Sequence, residues 1–225
     1  MTRIPYSVKI ITPINKIKSD ILKDIRNTLN KILPAVAKNV EADIKERIIK
    51  PVFVSSPEFE ALANGPLDAH FGIPQGEALG RLDSIVDTLI DSVFVEAKKI
   101  SIAGGNFRGG LVVKAIKDDF VDVLGLEAAV VEDTKRGYEL PWLDWLLIRG
   151  DSIIVTDFQI EFGTFPGSRS GKAIMDKQKG ALWRVPPGVS GTPRNNWFTR
   201  AIKSSQNFLS KAIEASVERH LRGKL

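Results

Sequence analysis

The chain has 225 residues, 43% of them hydrophobic and 26% charged, with no cysteine and a formal net charge of +5. That composition belongs to a globular chain able to bury a core, and it excludes disulfides and thiolate metal sites. No window reaches the roughly 18 apolar residues of a membrane-spanning helix, and residues 1–16 hold no apolar run of signal-peptide length, so a soluble chain is expected.

The first predicted element is a helix over about 14–50. Ile17, Ile21, Ile25, Leu29, Ile32, Val36, Val40, Ile44 and Ile48 recur every three to four residues, which is helical spacing. Their mean spacing exceeds 3.6, so the stripe drifts around the helix and can touch several neighbours. At 1.5 Å per residue the helix is about 50 Å long, more than one small core covers, and part of it is expected to face another chain. Pro34 is expected to kink or divide it, and Pro51 to end it.

A helical region over 57–90 follows. Ser56-Pro57-Glu58 supplies a hydroxyl cap, a first-turn proline and an acid at the positive end of the dipole. The helix stops at Asn64-Gly65, a short helical turn covers 67–71, and a third helix covers about 77–90. The period then shifts towards two, and a sheet core is predicted over about 93–185. Strands 93–102 and 111–117 read as a hairpin. Between them, residues 103–110 read as a flexible tip with four glycines that carries Phe107 and Arg108. An aromatic and a cation on such a tip suggest an assembly loop that a partner orders.

Residues 140–148 read as a short helix with Trp142, Trp145, Leu146 and Leu147 in the core. Residues 152–162 read as a long strand with Thr156, Phe158, Ile160 and Phe162 on one side,. Two short strands, 172–175 and 181–185, precede a C-terminal helix over about 193–222 that Thr192-Pro193 starts and Gly223 stops. The fold class is therefore α+β: one domain over 1–225, a small antiparallel sheet (a hairpin plus a long strand) packed with long N- and C-terminal helices.

The motif search yields no enzyme. Gly167-Ser168-Arg169-Ser170-Gly171-Lys172 has three residues, not four, before Gly-Lys, and Ala173 follows where a phosphate loop needs Ser or Thr,. Arg169 also occupies the serine position of a nucleophile elbow. His70 and His220 are the only histidines, and neither has an acid–nucleophile context in sequence. Asp157 and Glu161 share a strand face, but Gly163 stands where metal-dependent nucleases usually place a lysine,. No catalytic, cofactor-binding or metal-binding residue is assigned, and no cofactor is expected.

Charge is the remaining signal. Residues 166–225 carry twelve Lys or Arg against three Asp or Glu, while residues 1–165 carry twenty against twenty-four. Arg169, Lys172, Lys177, Lys179, Arg184 and Arg194, with Trp183 and Trp197 interleaved, form a candidate basic surface for DNA or for the acidic part of a neighbouring copy.

Four blocks resemble a family. They are Ser55-Ser56-Pro57-Glu58-Phe59-Glu60-Ala61-Leu62 through Phe71-Gly72-Ile73-Pro74, then Leu140-Pro141-Trp142-Leu143-Asp144-Trp145-Leu146-Leu147, Ser168-Arg169-Ser170-Gly171-Lys172-Ala173-Ile174-Met175, and Trp183-Arg184-Val185-Pro186-Pro187. In combination they look like virion structural proteins of tailed bacteriophages, most of all the neck or tail-completion proteins that join the capsid portal to the tail. The resemblance implies a homo-oligomeric ring, sixfold or twelvefold, around the DNA channel. Portal, adaptor or tail rings would be its neighbours, with weak sequence-independent contact to DNA, no membrane partner and no catalytic residues. It implies a virion location after synthesis in the host cytoplasm. The alternative is a nucleic-acid-binding protein that uses the basic C-terminal segment.

Overall fold

Helix α1 (Ile14–Asp43) runs into a five-residue π-turn (Ile44–Ile48) and then α2 (Ile49–Val54), so one helical rod spans Ile14–Val54. This computed structural model describes residues 11–114, 120–133, 137–222 and 224. The rod departs from the sequence reading at both prolines. Pro34 lies within α1 and does not divide it, and Pro51 lies within α2 and does not end it. The ring of Pro51 would collide with the carbonyl of Arg47 in regular α geometry, and the widened π-turn directly before it supplies room.

Three short helices follow: α3 (Pro57–Ala63), α4 (Leu67–Phe71) and the longer α5 (Ala78–Asp91). As expected, Ser56 caps α3 and accepts from the Phe59 amide at 3.3 Å. Strands β1 (Phe94–Ala103) and β2 (Asn106–Lys114) form a hairpin. Then come α6 (Val121–Leu124), a 3-10 turn (Glu127–Ala129) and the small ladder β3 (Val131–Asp133) with β4 (Tyr138–Leu140). The sequence reading assigned no element in that stretch. Helix α7 (Trp142–Leu147) leads into β5 (Ile153–Phe162), which pairs antiparallel with β6 (Ala173–Arg184).

The class is α+β with long helices at both ends, as the sequence indicated. Its β component is three separate two-stranded antiparallel ladders. The two short strands read over 172–175 and 181–185 are one strand, β6, with a bulge. Asp157 adopts φ 62° and accepts from the Gly180 amide at 2.7 Å, and this stitch carries the ladder past residues 178–181. The segment read as one C-terminal helix is two, α8 (Trp197–Ser204) and α9 (Gln206–Arg222). Its start is not Thr192-Pro193. Asn196 caps α8 by accepting from the Thr199 amide at 3.0 Å, and the Thr199 hydroxyl accepts from the Asn196 amide at 2.8 Å. This reciprocal pair satisfies two donors that a helix start otherwise leaves open. Gly223, the expected stop, lies outside the described residues.

One core joins the second half of the rod, α3–α5, α7 and α8. Trp142, Trp197, Phe53, Phe71 and Phe198 are fully buried at its centre. Phe198 stacks obliquely on Trp197 with ring centroids 4.9 Å apart and meets the edge of Phe53 at 5.7 Å. The Trp197 indole donates to the Ser56 hydroxyl at 2.7 Å, so the α3 cap and the α8 core are one network. Buried Glu58 on α3 pairs with Arg200 on α8 at 2.6 Å. Arg200 also donates to the Ser190 and Val189 carbonyls, at 3.1 and 3.0 Å. A buried carboxylate is tolerable because its guanidinium partner is held in place by backbone carbonyls,. No helix among the described residues is long and apolar enough to cross a membrane.

Candidate assembly surfaces

Burial along the rod changes abruptly. Leu33, Val36, Ala37, Val40, Ile44 and Ile48 are buried, whereas none of the residues 11–32 is. Ile11 is 90% exposed and Ile14 74%, and Ile21 and Ile25 are exposed further along. The β1–β2 hairpin lies along this half of α1. Asn30 clamps Ile100 of β1 through both backbone groups, accepting its amide at 2.7 Å and donating to its carbonyl at 3.0 Å. Glu41 accepts the Val95 amide at 2.9 Å. Helix side chains thus occupy donors on the open edge of β1, which guards against adventitious strand pairing. We refer to residues 11–32 with the hairpin tip as the arm.

The arm tip corrects one reading. Phe107 and Arg108 belong to strand β2, opposite Ile102 and Ser101, and are not on a loop. The turn is only Gly104-Gly105, with φ 58° and 78°, the two positive values a tight two-residue hairpin requires. Gly109 (φ 110°) sits at the bulge beside Lys98–Ser101, where a Cβ would strike the Lys99 carbonyl. These glycines serve backbone geometry. Phe107 and Arg108 are both exposed on the strand.

The β5–β6 ribbon is a second open surface. It is tied to α4 near both ends: Lys172 pairs with buried Asp68 at 2.8 Å, and His70 Nε2 lies 3.0 Å from the Arg184 carbonyl and 3.1 Å from the Trp183 indole nitrogen. Burial holds the His70 pKa below 6.5, opposed by the Arg184 carbonyl. Nε2 serves one of these partners at a time: as one neutral tautomer it accepts from the Trp183 indole, as the other it donates to the Arg184 carbonyl, and imidazolium can only donate. Between these ties Phe162 and Leu182 stay more than half exposed, and Ile153 and Met175 are exposed as well.

Of the six basic residues, Lys177, Lys179 and Arg184 lie on β6, with Lys172 directly before it. Lys172 is spent on Asp68, and Arg184 lies 4.0 Å from Asp151. Lys177 and Lys179 are exposed around the ribbon bulge, Arg169 is exposed on the loop before β6, and Arg194 is exposed on the Thr192–Asn195 turn. Trp183 and Trp197 are core residues and offer no stacking face.

Both histidines have partners that the sequence hid. Asp43 Oδ2 accepts from the Ser216 hydroxyl at 2.6 Å and lies 3.0 Å from His220 Nε2 and 3.2 Å from Arg219 Nη1. The Ser216 bond, with help from His220 and Arg219 and against partial burial, lowers the Asp43 pKa below 3.8. Ser216 bonds the carboxylate directly and not the imidazole, so the trio is no catalytic relay. It pins α9 to the end of α1. Among the described residues, no group of three or more His, Cys, Asp or Glu is placed to hold a metal ion.

Comparison with known proteins found no family model, curated protein or solved structure that matches the chain.

Proposed function

We propose that this chain is a structural component of a bacteriophage neck, a homo-oligomeric ring that joins the capsid portal to the tail around the DNA channel. The supporting observation is the apolar surface left open on ordered elements. Isoleucines line the arm, and Phe162, Met175 and Leu182 line the ribbon. Open apolar patches on well-formed elements mark surfaces that another protein covers. A ring subunit needs such surfaces for its neighbours within the ring and for the rings above and below it. The sequence blocks that resemble neck proteins give the reading its particular form. In this reading Lys177, Lys179 and Arg194 face DNA weakly and without sequence preference.

The test is labelling of purified phage particles with an antibody against the chain. Gold at the head–tail junction, with six- or twelvefold class averages of the labelled ring, is the expected result. Particles that carry no label, or carry it elsewhere, overturn the proposal.

A further inference from the structure

We propose that the basic arm of one copy docks on an acidic face of a second copy, formed by α5, α6, the 3-10 turn and the β3–β4 ladder. This inference rests on the ring reading above and names the surfaces that would make the ring.

The two patches carry opposite charge. Residues 11–32 and 98–109, the arm, hold eight Lys or Arg against two Asp or Glu. Residues 77–91, 120–133 and 137–140, which form the face, hold nine acids against one base. Each patch also presents apolar groups at the surface. On the face, Leu79 begins an exposed stripe that continues through Asp83, Asp87 and Asp91 at four-residue spacing, and Tyr138 of β4 is 70% exposed. Lys50 of the rod reaches this stripe, 2.8 Å from Asp87 and 3.6 Å from Asp83, so the acids left to a partner are chiefly those of the ladder and of the α6 region. The face is continuous: Arg81 of α5 donates to the Glu127 carbonyl at 3.1 Å and the Val130 carbonyl at 2.6 Å.

The ladder supplies an independent sign of a cationic partner. Glu132 and Glu139 are direct antiparallel partners, a like-charge juxtaposition that costs stability in an isolated ladder. A lysine or arginine brought to that pair removes the cost. The arm offers such groups beside its isoleucines, and its surface between α1 and the hairpin tip is a groove lined by Lys18, Lys23, Arg26 and Ile102.

The contact has to be between copies. Lys45 donates to the Asp91 carbonyl at 3.2 Å, so the end of α5 lies at the far end of α1. The arm runs the other way along a rigid helix of about 45 Å, and it has no route back to its own face. Different patches meeting between copies make a heterologous contact, which closes into a ring or propagates as a filament.

Sedimentation velocity on the full chain tests this, with two folded variants verified by circular dichroism. The arm variant is Lys18→Glu with Ile25→Ser, and the face variant is Leu79→Lys with Glu132→Lys. Wild type is expected to self-associate, more weakly as salt rises, and each variant alone to associate at least tenfold more weakly. Mixed in equal amounts, the variants should recover a species of about twice the chain mass that grows no further, because one intact arm and one intact face remain. Variants that associate like wild type, or a mixture that stays monomeric, overturn the inference. Wild type that is monomeric at low salt also overturns it, whereas the neck reading stands or falls separately on particle labelling. Duplex DNA binding lost in the arm variant, without self-association of wild type, would assign the arm to a polyanion instead.

Discussion

Two halves of one helical rod carry the same kind of sequence and meet different fates. Residues 33–54 put Leu33, Val36, Val40, Ile44, Ile48 and Phe53 into the core. Residues 11–32 repeat the isoleucine spacing and bury none of it. The difference comes from what surrounds each half. Helices α3, α5 and α8 close over the second half, while the first half lies against a two-stranded hairpin, whose sole buried side chain is Ile100. Helical periodicity therefore reports that a face seeks cover, and it does not say whether the cover comes from the same chain.

The largest expected effect separates the halves by stability. Trp197→Ala removes a fully buried ring and the indole donor to Ser56. Loss of an aromatic from a packed core costs about 3–5 kcal/mol. Ile25→Ala on the arm should cost under about 0.5 kcal/mol, as surface changes do. Urea denaturation of both variants checks the contrast. An Ile25→Ala penalty near that of Trp197→Ala would show that the arm belongs to the folding core.

Next comes the buried ion pair. Arg200→Ala strands the Glu58 carboxylate, which is 5% exposed at the side chain. Removing one partner of a buried pair costs about 3–5 kcal/mol, whereas replacing both by neutral groups costs far less. The double variant Glu58→Gln/Arg200→Met should therefore be more stable than Arg200→Ala alone. Equal stability of the two would place Glu58 in contact with water. On the arm, the comparable pair Lys23–Asp20 is exposed on both sides, and breaking it should leave stability unchanged within about 0.5 kcal/mol.

Acidification acts on the core side of the comparison. Because the folded-state pKa of His70 is depressed, the unfolded chain binds its proton first as pH falls. The His70 contribution is thus fully present above pH 6.5 and is lost as pH falls from there through the lower folded value. Asp43 is likewise depressed, so the α9 pin is fully effective above pH 3.8 and is lost below it,. Denaturation midpoints across pH 5–8 should decline towards acid in wild type and flatten in His70→Gln. A wild-type profile flat over that range would show that His70 does not titrate differently on folding.

What the sequence made legible follows the same division. The α3 cap, the α7 core tryptophans and the strand before Gly163 were readable because each depends on neighbours within a few residues. The glycines at 104, 105, 109 and 110 were misread as mobility, since a two-residue turn and a bulge require positive φ as strictly as a loose loop permits it. The continuation through Pro51 depended on a π-turn with no side-chain signature. The Asp43–Ser216–His220 pin joins residues more than 170 positions apart, beyond any local pattern. The basic arm was hidden by bookkeeping: residues 1–165 have a net acidic count, and only division by element separates the cationic arm from the acidic face.

The smallest expected effect concerns the residues that neither half of the comparison uses. Lys177, Lys179 and Arg194 are exposed, so changing all three to Ala should leave stability within about 0.5 kcal/mol of wild type. Lys172 and Arg184 are poor substitutes for this test. Lys172 pairs with buried Asp68, so its loss mixes folding with binding, and the Arg184 guanidinium already has Asp151 4.0 Å away to offset its charge. If the exposed three meet DNA phosphates, each contact contributes a slope of about −0.9 to log K against log salt, independent of sequence. The triple variant should then bind duplex DNA with a shallower salt dependence, in proportion to the contacts removed. An unchanged slope would take these residues off the DNA path. Tight, sequence-selective binding at physiological salt would favour a nucleic-acid-binding protein over a neck ring, because a channel lining that grips DNA opposes its passage.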